Sequence, residues 1–204
     1  SGLYINIDDQ DLLSPMNEYS TILDSSFSLN TGRGIAVVAD DSISGTVEIG
    51  LEGIKSFGNN AGDLMAPSDI HFTWVCIGKD KLGDPEYTGT TVASFDIEVE
   101  EKGIEIFNED IKFLNDDASI TIGSKHTLLM ENAYIRPEDP ANRWKLIATE
   151  STSVDINGGY LGYMDSMIIE DVTIFNMEGT LVRYGENGVR VKDTGSISID
   201  SCQF

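Results

Sequence analysis

Residues 128–135 read LLMENAYI, and the pattern they carry returns twice further along the chain. Leu128 and Met130 are apolar and two apart. Glu131 is acidic, Asn132 is small and polar, and the apolar Ala133 and Ile135 follow. Met167, Ile169, Glu170, Asp171, Val172 and Ile174 make the second copy; Ile197, Ile199, Asp200, Ser201, Cys202 and Phe204 make the third. Side chains alternate across a strand, so each pair of apolar residues marks one face. The acidic–polar pair interrupts the alternation with residues that bond to nearby backbone and tolerate turns. Each copy therefore reads as strand, sharp corner, strand, with its apolar side kept inward.

A unit of this size cannot bury its apolar face alone, but stacked copies can. Val154, Ile156, Asn157 and Gly158 read as a degenerate further copy. Ile104, Ile106, Ile111 and Phe113 follow a similar layout, with two extra residues at the corner. On these residues the stretch from about 95 to 204 resembles the right-handed parallel β-helix of pectate-lyase-like proteins. The resemblance implies a solenoid, clustered carboxylates holding Ca²⁺ and a basic residue that abstracts a proton. None of that family's catalytic motifs maps onto these positions, so no catalytic residue is carried over. Strand–corner–strand patterns also fit a single antiparallel β-sandwich or barrel.

Upstream, the pattern is equally strand-rich but less regular. Leu3, Ile5 and Ile7 alternate; Ile35 to Ala39 is a continuous apolar run suited to a buried strand. His71 to Cys76 carries sizeable side chains on both faces and reads as a central strand, and Val92 to Val99 as another. Lys79 to Gly89 reads as a polar loop and Gly58 to Gly62 as a mobile one. Two helical segments are expected. One is brief, over Asn17 to Asp24; the other starts at Asp139-Pro140, with Trp144, Ile147 and Ala148 on one face. The fold class is all-β: a sandwich-like part over 1–94, then β-helical repeats over 95–204.

The chain has 204 residues, 40% hydrophobic, enough for a real core. Its 13 basic and 35 acidic residues give a formal net charge of −22, which repels phosphate backbones and anionic membrane surfaces. Nucleic-acid binding and membrane insertion are therefore not expected. Cys76 and Cys202 sit within apolar patterns and read as buried free thiols.

Motifs for chemistry are sparse. His71 and His126 lack partners at nucleophile or zinc-ligand spacing, and Thr31-Gly32-Arg33-Gly34 lacks the rest of a phosphate loop. Two acidic clusters offer the hard oxygens that suit Ca²⁺, the one cofactor considered: Asp8, Asp9 and Asp11, and Asp116 and Asp117 beside Asn115. Trp144, Tyr160 and Tyr163, among Gly158, Gly159 and Gly162, suggest a platform on which a glycan would stack. The expected function is a non-catalytic structural protein of a virion, tail or secreted surface structure, acting as a homo-oligomer or within a larger assembly. The alternative is an extracellular module that binds or degrades carbohydrate.

Overall fold

A computed structural model describes residues 2–7, 20–39, 46–66, 71–93, 96–100, 102–183, 185 and 187–204. Among these there is no helix; the chain is a parallel β-solenoid of three eight-stranded sheets. The first sheet holds Leu3–Ile7, Ile35–Ala39, Leu64–Met65, Gly89–Ala93, Glu109–Phe113, Tyr134–Pro137, Tyr160–Gly162 and Leu181–Arg183. The second holds Ser20–Leu23, Thr46–Glu52, His71–Cys76, Asp96–Val99, Ala118–Ile122, Trp144–Thr149, Met164–Glu170 and Gly188–Lys192. The third holds Ser26–Ser28, Lys55–Phe57, Lys79–Gly83, Gly103–Phe107, Thr127–Glu131, Ser153–Asn157, Ile174–Glu178 and Ser196–Asp200. Each rung takes one strand from each sheet in turn, and every named strand pairs in parallel with its neighbour or neighbours one rung away.

Residues 1–94 build the same three sheets, so the sandwich-like packing expected there gives way to solenoid rungs. Asp96–Val99 pairs with His71–Cys76 on one side and with Ala118–Ile122 on the other, so pairing continues across residue 95. The upstream corners depart from the repeat: Leu29, Gly53 and Gly58 hold the left-handed positions that Asn132, Asp171 and Ser201 hold in the three copies. Lys79 to Gly83 is a strand rather than a loop, since Asp80 and Leu82 point inward. Both helical expectations are also corrected. Ser20–Leu23 is a strand, while residues 17–19 lie outside the described residues. Asp139 does bond its own backbone forward, with Ala141 N–H donating to Oδ1 at 2.9 Å, but this closes only a turn. Trp144–Thr149 is then a strand whose alternate residues are buried.

The stacked register explains the core. Ile104, Leu128, Val154 and Phe175 occupy one inward column, and Ile106, Met130, Ile156 and Met177 the next. All eight are at most 1% exposed. Burial of one such side chain is worth about 1.5–3 kcal/mol, so a rung is held chiefly by its neighbours. Trp144 is fully buried, packs on Phe113 at 5.7 Å between ring centroids, and donates its indole hydrogen to Gly162 O at 2.8 Å.

Corners repeat as strictly as strands. A residue with positive φ follows seven of the third-sheet strands: Leu29, Gly58, Asn108, Asn132, Gly158, Gly179 and Ser201. Another set follows second-sheet strands: Asp24, Gly53, Glu150, Asp171 and Asp193. Several pass a hydrogen bond to the next rung, as Asn132 N–H does to Asn157 O at 2.8 Å and Asp171 N–H to Lys192 O at 3.1 Å. The first and third sequence copies thus lie at one corner and the second at another, which is why their spacings were uneven.

Polar residues also enter the apolar interior, Asp80 and Asn59 among them. Asp80 takes the place that Ile104 and Leu128 fill in later rungs; its Oδ1 accepts Ile54 N–H at 2.7 Å. Burial pushes its carboxyl up to about 6, with the charge of Glu52 adding to the shift. Asn59, in the segment that read as a mobile loop, is 5% exposed and donates from Nδ2 to Phe27 O at 2.9 Å. Its Oδ1 accepts from Asn30 Nδ2 at 2.7 Å, so the loop is tied to the rung below.

Candidate functional site

The residues singled out as a glycan platform separate in the fold. Trp144 is in the core and presents no face to solvent, because alternation on its strand turns it inward. Tyr160 and Tyr163 are half-buried. Tyr160 has a different aromatic partner: Tyr134, directly below it in the first sheet, with ring centroids 5.9 Å apart and planes tilted by 40°. Tyr134 is 54% exposed. A side chain at Gly162 would place its Cβ 2.3 Å from the Tyr160 ring, so the glycine lets that ring lie flat along the sheet. Two residues along the Tyr134 strand, Arg136 donates from Nη2 to Asp110 Oδ2 at 3.1 Å. The sequence signal for Tyr134 was its place one residue before Ile135 in the repeat, an outward position by alternation.

Of the acidic clusters, Asp8, Asp9 and Asp11 lie outside the described residues. Asp116 and Asp117 are exposed at the corner before Ala118–Ile122. Asp116 Oδ1 accepts Arg143 N–H at 2.8 Å, and Asp117 takes the ammonium of Lys145. That hydrogen bond raises the Lys145 pKa above its usual value. The two carboxylates thus have partners within the chain, and among the described residues no three His, Cys, Asp or Glu side chains converge as a metal site. Cys76 and Cys202 are both free. Cys76 is buried, and burial raises its thiol pKa well above the usual value.

Apolar surface is exposed on the rung formed by Leu181–Arg183, Gly188–Lys192 and Ser196–Asp200. Ile197 stacks on Phe175 and Ile199 on Met177, in columns otherwise buried. Here they are 54% and 44% exposed, because no further rung among the described residues covers them. Val189, Val191 and Cys202 are only partly buried against the core, and Phe204 is 71% exposed. The strands Gly188–Lys192 and Ser196–Asp200 each have a partner on one side only. Gln203 bridges back to Leu181, where Val182 N–H donates to Gln203 O at 2.8 Å. From 181 to 204, three basic residues (Arg183, Arg190, Lys192) balance three acidic ones (Glu186, Asp193, Asp200), against −22 for the chain. Lys192 bonds Glu170 one rung below, and this holds the glutamate carboxyl below its usual range.

Comparison with known protein families, curated proteins and solved structures finds no match. The fold is a parallel β-solenoid.

Proposed function

We propose that this chain is a non-catalytic structural protein that works by assembly, and that the face around Ile197 and Ile199 is where it meets further protein, a continuing rung or a copy of itself. One observation carries the reading: two core columns end uncovered beside strands with open edges. Open strand edges and contiguous apolar patches are features that soluble monomers manage or hide. The local charge balance adds support, since copies of so acidic a chain repel least where their own charge cancels. A virion, a tail or a secreted surface structure is the setting this reading favours.

The test is light scattering on a sizing column at micromolar concentration, with the Ile197→Asp/Ile199→Asp variant alongside. The expected result is an oligomer that the double variant dissolves to monomers without loss of fold. A wild type that stays monomeric at every concentration would retire the reading.

The stacked pair Tyr134–Tyr160 favours a second reading, a carbohydrate-binding or polysaccharide-acting module of the pectate-lyase-like kind. Sugar faces stack on exposed aromatic rings, and Arg136 and Asp110 would supply polar contacts nearby. A glycan array with wild type and Tyr134→Ala addresses it. Absence of any signal that the substitution abolishes counts against this reading.

A further inference from the structure

At the corner entering the first sheet, the repeat places a small or apolar residue inward: Ala133 in one rung, Gly159 in the next. One rung below Ala133 that place is taken by Glu109, which is 0% exposed. Asp63, just ahead of Leu64–Met65 two rungs further down, is also 0% exposed. Between them lies Gly89. A Cβ on that glycine would sit 2.0 Å from Asp63 Oδ2 and 2.1 Å from Glu109 Oε2, so both oxygens close over the backbone where a side chain is missing.

The outer oxygens of the two acids are held. Asp63 Oδ1 accepts the backbone N–H of Asn59 at 3.1 Å and the Asn59 amide as well. Glu109 Oε1 accepts the Thr91 hydroxyl at 2.8 Å. The facing oxygens, Asp63 Oδ2 and Glu109 Oε2, are buried and find no donor among the described residues. Two bare carboxylates in such a place would repel each other and lack hydrogen bonds. Nearby charge offers no relief. On the Glu109 strand Asp110 is engaged by Arg136 and Lys112; beside Gly83, Lys81 pairs with Asp84; next to Gly34, Arg33 is exposed. Asn59, Thr91 and Ser56 are the uncharged polar neighbours.

A proton and a metal ion are the two species that would join the oxygens. Ca²⁺ takes about six to eight oxygen ligands, and this site offers two carboxylates and the hydroxyls of Thr91 and Ser56, pressed against a glycine. A single proton needs only the two facing oxygens. We propose that Asp63 and Glu109 share one buried proton, which clasps the third rung to the fifth across Gly89 and whose loss as pH rises loosens the rungs on either side. Burial, reinforced by the charge of Asp63, holds the Glu109 carboxyl well above its usual range, and burial raises Asp63 too. For acids raised on folding, the stabilisation is complete below their unfolded pKa and is lost as pH rises through the folded one. The clasp is therefore closed in acid and opens toward alkali.

The experiment compares wild type with Glu109→Gln, whose amide donates to Asp63 at every pH. Amide hydrogen exchange of Leu64–Met65 and Gly89–Ala93 is followed against pH and corrected for intrinsic rates. The expected ratio of wild-type to variant exchange rises about tenfold per pH unit until Glu109 has lost its proton, then levels. A ratio independent of pH overturns the clasp. Should Glu109→Gln fail to fold, carbon-13 titration of wild-type Glu109 decides alone: an ordinary glutamate midpoint sinks the proposal and a raised one upholds it. Ca²⁺ that protects wild type at high pH, but not Glu109→Gln, would replace the proton with a cation and equally overturn it.

Discussion

Trp144 and Gly162 are joined by a 2.8 Å hydrogen bond from indole to carbonyl, while the indole of Trp74, equally buried, finds no acceptor among the described residues. The two tryptophans should respond differently to the same change. Trp144→Phe removes a donor from a buried carbonyl and should cost at least about 1 kcal/mol more than Trp74→Phe, which deletes an unpaired donor. Urea denaturation of both variants measures the difference; equal losses would contradict the assignment.

Depth in the stack sets the cost of truncation. Phe175→Ala opens a cavity in a closed rung and should lose about 3–5 kcal/mol. Ile197→Ala, in the same column one rung on but half exposed, should lose under about 1 kcal/mol in the isolated monomer. Thermal unfolding at low protein concentration, where no partner covers Ile197, provides the comparison.

Corner glycines are not equivalent. Gly159 has φ +82°, and a Cβ there would stand 2.2 Å from Ala133 O, so Gly159→Ala should unfold the local corner. Gly179 has φ +60° with nothing within 4 Å; Gly179→Ala should cost only the left-handed penalty, about 1–2 kcal/mol. Circular dichroism melts of the pair test the ranking, and a reversed order would refute it.

Asp80 provides a second pH-dependent site. Its carboxyl is raised on folding from 3.8 to about 6, so its contribution to stability is fully present below the lower value and lost as pH rises through the upper. Asp80→Asn keeps an oxygen for Ile54 N–H and removes the titration. Wild-type stability minus variant stability should fall between pH 4 and 6 and be flat above. Paired denaturation curves over that range check it, and a difference that rises with pH would be the wrong sign.

The solenoid was legible where the sequence keeps its rules. Leu128, Met130, Val154 and Ile156 alternate cleanly, and Asn132 and Gly158 are residue types that tolerate left-handed corners. It was obscured where a rung departs from them. Glu109 stands where the repeat asks for a small apolar residue, so its corner looked two residues too long. Asp80 likewise made an inward strand resemble a loop. Both departures mark buried carboxylates whose purpose appears only when neighbouring rungs are stacked. An aromatic after an Asp-Pro turn suits a helix as well as a strand, and for Trp144 only the parallel partners on either side decide. The Tyr134–Tyr160 pair joins residues far apart in sequence, and register, which composition does not encode, brings them together.

Since each storey leans chiefly on those directly above and below, the coil has no natural height. Adding or deleting one whole turn would change the distance between its two ends while leaving its girth the same, as adding links lengthens a chain. In a built structure, such a part serves as a spacer whose span is written by counting turns.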